Sequence, residues 1–74
     1  MKGDNWNWMR HWSGKTFAFD SQYGAYGTAN KSQGKKDALE RANALRRKGG
    51  LSRVTLERHD YGLWWVVWSH GVNK

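Results

Sequence analysis

Cysteine, proline and isoleucine are all missing from these 74 residues, and carboxylates are scarce, six against thirteen lysines and arginines. Without cysteine there are no disulfides, no thiolate zinc sites and no thiol catalysis, a composition that fits a reducing compartment. No continuous apolar stretch opens the chain in the manner of a signal peptide, and none reaches membrane-spanning length. The expectation is therefore a soluble, cytoplasmic protein that does not enter a membrane. No two histidines have helical ligand spacing and there is no His-Glu-x-x-His, so neither a metal nor another cofactor is expected. No serine sits in a Gly-x-Ser-x-Gly elbow, and Gln33-Gly34-Lys35-Lys36 has too few glycines to cradle a nucleotide. The remaining enzymatic option is a small ribonuclease type of site, which needs only His59 or His70 with Arg58 and Arg53. The expected function is non-catalytic.

What the chain does contain is aromatic rings and positive charge. It has six Trp, three Tyr and two Phe, and its formal charge is +7. A chain this short is one domain near the lower size limit for a self-sufficient core. Each large ring buries about 150–250 Å², so a few of them can replace many aliphatic residues. Residues 35 to 58 carry eight basic and three acidic groups, or +5 of the +7. Such a balance favours a polyanion: nucleic acid, RNA or DNA, an anionic membrane surface, or an acidic protein face.

Trp6, Trp8 and Trp12 share one parity, and Phe17 and Phe19 another, on either side of Ser13-Gly14. A two-residue turn there would pair Trp12 with Lys15, Arg10 with Phe17, Trp8 with Phe19 and Trp6 with Ser21, placing every aromatic on one face. The competing reading is a short helix capped by Asp4. Residues 21 to 34 read as a glycine-rich connector that presents Tyr23 and Tyr26 or forms a short strand. A helix is expected over 35–48, capped by Asn30 or Ser32, with Ala38, Leu39, Ala42 and Leu45 as its apolar face and Gly49-Gly50 as its stop.

Residues 53 to 59 alternate as a strand, and Leu63-Trp64-Trp65-Val66-Val67-Trp68 follows after Asp60-Tyr61-Gly62. The latter run does not alternate, so both its faces want cover. A three-residue loop with Gly62 left-handed would pair Leu56 with Val66 and Val54 with Trp68. Trp64, Val66 and Trp68 would then join the core, and Leu63, Trp65 and Val67 would face outward. A one-step change of register exchanges the faces. The fold class expected is α+β: a small, mainly antiparallel sheet of about four strands, ordered ββ-α-ββ, with one helix across one face.

Ser32-Gln33-Gly34-Lys35-Lys36-Asp37-Ala38 resembles the Ser-Lys-Lys-Glu-Ala helix start of double-stranded RNA-binding domains. The likeness covers about ten residues. That family has a helix and three strands before this one and ends with it, whereas this chain continues into two more strands. The helix with its following hairpin is similar to half of a SPOR-type peptidoglycan-binding domain, whose second helix is missing. In size and style the chain resembles small phage-encoded inhibitors, including anti-CRISPR proteins, a class without a shared motif.

Two functions follow as expectations. In the first, Arg46, Arg47, Lys48 and Arg53, with Arg58 further along, hold phosphates while Trp65, Tyr23 or Tyr26 stack on bases. Part of this charge also has structural reasons: Lys36–Glu40 and Asp37–Arg41 are four apart, and the last-turn cations favour the negative end of the helix dipole. In the second, the outward set Leu63, Trp65 and Val67, or a sheet edge, docks on an acidic host protein, as a phage-type inhibitor would. A homodimer through that outer sheet face is compatible with either.

Overall fold

The computed structural model describes residues 8–25, 27–59 and 62–71. Four antiparallel strands, β1 (Met9–Trp12), β2 (Lys15–Gly24), β3 (Leu51–His59) and β4 (Gly62–His70), form one curled sheet in the order β1-β2-β4-β3. One helix, α1 (Gly27–Arg47), lies across one of its faces.

The first hairpin has the expected register, with Trp12 opposite Lys15 and Arg10 opposite Phe17. Ser13 and Gly14 both have positive φ, 52° and 76°. That is the type I′ geometry whose twist matches the flanking strands. The Phe19 amide donates to the Trp8 carbonyl at 2.9 Å, which continues the pairing beyond β1. The pair expected between Trp6 and Ser21 lies outside the described residues.

The connector is different from expectation. β2 runs on to Gly24, now paired with β4, and α1 begins at Gly27 rather than at residue 35. Asn30 and Ser32 are therefore inside the helix and not its cap. Gly34, which reads as a breaker, is a contact point. A Cβ there would collide with the Gly24 carbonyl oxygen and lie 3.0 Å from Trp65 Cδ1. Glycine costs a helix about 1 kcal/mol relative to alanine. Here it lets helix and strand touch. The helix ends as expected. Gly50 N–H donates to the Leu45 carbonyl and Gly49 N–H to that of Arg46, with Gly49 at φ 92°. This is the Schellman arrangement that satisfies the last carbonyls.

In the second hairpin, His59 pairs with Gly62, Leu56 with Trp65 and Val54 with Val67. The loop is two residues, 60 and 61, not three, and the one-step shift exchanges the faces of β4. Trp65 and Val67 therefore do not face outward. They pack with Val54 and Tyr23 against Ala38, Ala42 and Leu45 of α1. Leu39 is not part of this face and is 42% exposed. The other set, Val66 and Trp68 with Trp64, packs with Trp12, Phe17 and Phe19. Rings there meet edge to face: Trp8–Phe19 at 4.7 Å, Trp12–Phe17 at 5.2 Å and Trp12–Trp68 at 6.0 Å between centroids, the arrangement aromatic quadrupoles prefer.

β4 is thus a central strand buried on both sides, and Val66, Val67 and Trp68 have no exposed surface. A strand covered on both faces reads as a continuous apolar run. The outer sheet face proposed for a homodimer or an inhibitor is covered by α1.

Candidate nucleic-acid interface

The sheet order brings four chain segments to one end of the molecule: the last turn of α1, the start of β3, the end of β4 and the β1–β2 turn. Leu51 pairs with His70, and a His70 Nδ1 contact of 2.7 Å with the Thr16 carbonyl ties β4 to the start of β2. Arg46, Arg47, Lys48, Lys15 and Arg53 all lie on these segments, and all are exposed.

Arg46 is held in place. Its Nη1 donates to Asn43 Oδ1 at 3.1 Å and its Nη2 to the Ser52 carbonyl at 3.2 Å. The second bond crosses from helix to sheet edge. Ser52 is itself anchored, its hydroxyl donating to the Ala42 carbonyl at 3.0 Å. Arg53, one residue on, points to the opposite face of the sheet, where its Cζ lies 5.1 Å from the Trp12 ring centroid. Between the two arginines is a groove of about 390 Å³ at the outer edge of β3, with Val54, Thr55, Trp12 and Phe17 completing its walls. Its lining contains no carboxylate.

Three of the four described carboxylates, Asp20, Asp37 and Glu57, are engaged elsewhere. Asp20 accepts two bonds from Arg41, at 2.8 and 2.9 Å, and one from Ser21. The Arg41 hydrogen bond is the main reason its pKa is lowered, burial pulling the other way. Arg41 thus reaches across to β2 and does not pair with Asp37, which accepts from Gln33 Nε2 at 2.9 Å. Glu57 takes both Arg10 amino groups, at 3.0 and 3.3 Å.

Of the residues expected to form a site, Arg46 and Arg53 line one groove and Arg47 follows at the helix end. Lys48 stands on the β2 side, where its charge adds to the Arg41 hydrogen bond in lowering the Asp20 pKa. Arg58 is remote, five residues along β3 from Arg53, about 17 Å away at strand rise. Trp65 is half-buried beneath α1, its Nε1 donating to the Lys31 carbonyl at 2.9 Å and Lys35 Nζ standing 5.7 Å over its ring. Tyr23 is half-buried in β2 on the helix side, not on a loop. Tyr26 lies outside the described residues. Trp12, which sequence parity assigns to the hairpin's aromatic face and nothing more, is the ring beside the arginines. Only the strand order, which curls β1 over toward β3, brings it there.

Among the described residues no histidines and carboxylates cluster in a way that would hold a metal ion. No described helix is long and apolar enough to cross a membrane. Comparison of the chain with protein-family models, with curated proteins and with solved structures finds no match.

Proposed function

We infer that the protein is a non-catalytic nucleic-acid-binding module whose contact surface is the basic end. The observation that carries this reading is the carboxylate-free groove where Arg46, Arg53 and Trp12 meet, with Arg47 and Lys15 exposed on the adjoining segments. Guanidinium forks match phosphate geometry, and aromatic and guanidinium planes accept bases. Both arginines are already positioned, so less side-chain entropy is lost on binding.

The test is fluorescence anisotropy with a labelled single-stranded oligonucleotide across a salt series. Binding at micromolar concentration or tighter is expected at low salt. Engagement of about four phosphates gives a log–log slope near −3. Absence of binding at low salt overturns the reading. So does capture, after nuclease treatment, of one stoichiometric acidic protein through the same cations, which would make the basic end a protein-docking surface instead.

A further inference from the structure

We propose that the groove at the β3 edge is a site for one unpaired nucleotide, with the base against the Trp12–Arg53 pair and the phosphate on Arg46. This rests on the nucleic-acid reading above and sharpens it from a charged surface to a site with a defined occupant.

Three features converge. The first is size: about 390 Å³ is at the small end of ligand pockets, which run from about 300 to 1,000 Å³, and suits a single nucleotide. The second is the pairing of charge with planarity. Trp12 and Arg53 lie one over the other, and their flat surfaces can carry a base, while Arg46 on the far side uses two hydrogen bonds to fix its fork and keeps its remaining N–H donors for a phosphate.

The third is the strand edge itself. In β3 the residues facing β4 with both backbone groups alternate with residues whose groups point away. The hairpin's closing pair, His59 with Gly62, sets that alternation, and it places Ser52 and Val54 on the outward side. The Ser52 carbonyl, which accepts from Arg46, confirms the parity. Val54 N–H and C=O therefore point outward along the groove wall, a donor and an acceptor side by side, suited to the hydrogen-bonding edge of a base. A base in a duplex offers neither its stacking face nor its pairing edge, so the occupant is a nucleotide in single-stranded nucleic acid or at a frayed end.

The experiment uses adenosine monophosphate and ribose 5-phosphate as probes, read by amide and indole NMR shifts of the full chain and by displacement of the labelled oligonucleotide. Adenosine monophosphate is expected to shift the Trp12 indole and Val54 amide signals and to bind about tenfold or more tightly than ribose 5-phosphate, the base supplying the difference. Trp12→Leu is expected to abolish that difference, with the salt slope for the oligonucleotide unchanged. Should Trp12→Leu fail to fold, Arg53→Gln serves the same purpose, lowering the preference for the base about tenfold. Equal binding of the two probes, or shifts elsewhere than the groove, overturns the one-nucleotide site while leaving oligonucleotide binding in place. If the oligonucleotide also fails to bind at low salt, the nucleic-acid reading falls with it.

Discussion

Two glycines show how one residue type is required for unrelated reasons. At Gly49 the space around a Cβ is open, but φ is 92°, where L side chains are strained. At Gly34 the obstacle is the Gly24 carbonyl and the Trp65 ring. Gly34→Ala gains about 1 kcal/mol of helix propensity and loses more to the forced separation of α1 from β2. The expected net destabilisation is about 2 kcal/mol, or roughly 10 °C in a thermal melt of a domain this size. A melting temperature at or above that of the parent would show that helix and strand are not in contact there. Asp20 gives a second test at this scale. Its pKa is lowered by the hydrogen bond from Arg41, so the stability it contributes is present above its unfolded value, near 3.8, and is lost as pH falls through the folded value. The Arg41 side chain is 37% exposed, so solvent screening limits the pair to about 1 kcal/mol. Asp20→Asn is therefore expected to lower the urea midpoint at pH 7 and to converge with the parent on acidification below about pH 4. A constant difference across that range would remove the carboxylate from the explanation.

At the scale of elements, Asp20 matters for a different reason. It is the extra residue between Phe19, opposite Trp68, and Ser21, opposite Val67. This β-bulge switches β2 from presenting Phe17 and Phe19 on the aromatic side to presenting Tyr23 on the helix side. The alternation rule read from Phe19 onward therefore fails at Tyr23, because a bulge is a relation between two strands and has no mark within one of them. The same limit applies to the 60–61 loop, since two- and three-residue connections differ by one step of register and the adjoining segment is apolar at every position. By contrast, the Ser13-Gly14 turn and the Gly49-Gly50 cap were legible, because each depends on backbone conformations that those residues allow locally. The class of fold was legible as well, since strand and helix periods survive errors of register. The corrected register makes a prediction of its own. Val67→Ala is expected to cost about 2 kcal/mol, as a fully buried position on the helix side, whereas Leu56→Ala, 42% exposed, is expected to cost less than about 1 kcal/mol. Near-neutral Val67→Ala in denaturant unfolding would restore the outward-facing register.

For the whole molecule, the sheet's curl sets both stability and the candidate site, and it separates them in space. Toward the far end of β3, Arg10 spans from β1 to Glu57 and stacks at 4.4 Å over Trp68, fastening the two edge strands over the aromatic cluster. Toward the near end, Arg53 and Trp12 make the corresponding contact, and there it borders the groove. Arginine thus has two jobs, and opposite outcomes distinguish them. Arg10→Gln removes a paired, partly buried guanidinium and is expected to cost about 1–2 kcal/mol of stability, while oligonucleotide affinity changes by less than about twofold. Arg46→Gln removes an exposed one that makes two hydrogen bonds and is expected to cost less than about 1 kcal/mol of stability. It should nevertheless weaken oligonucleotide binding about tenfold and make the salt slope shallower by about 0.7, the loss of one phosphate contact to a single strand. Urea unfolding and anisotropy titration on the two variants decide the matter. If Arg10→Gln and Arg46→Gln weakened binding equally, the interaction would answer to net charge alone, and the groove would have no special part in it.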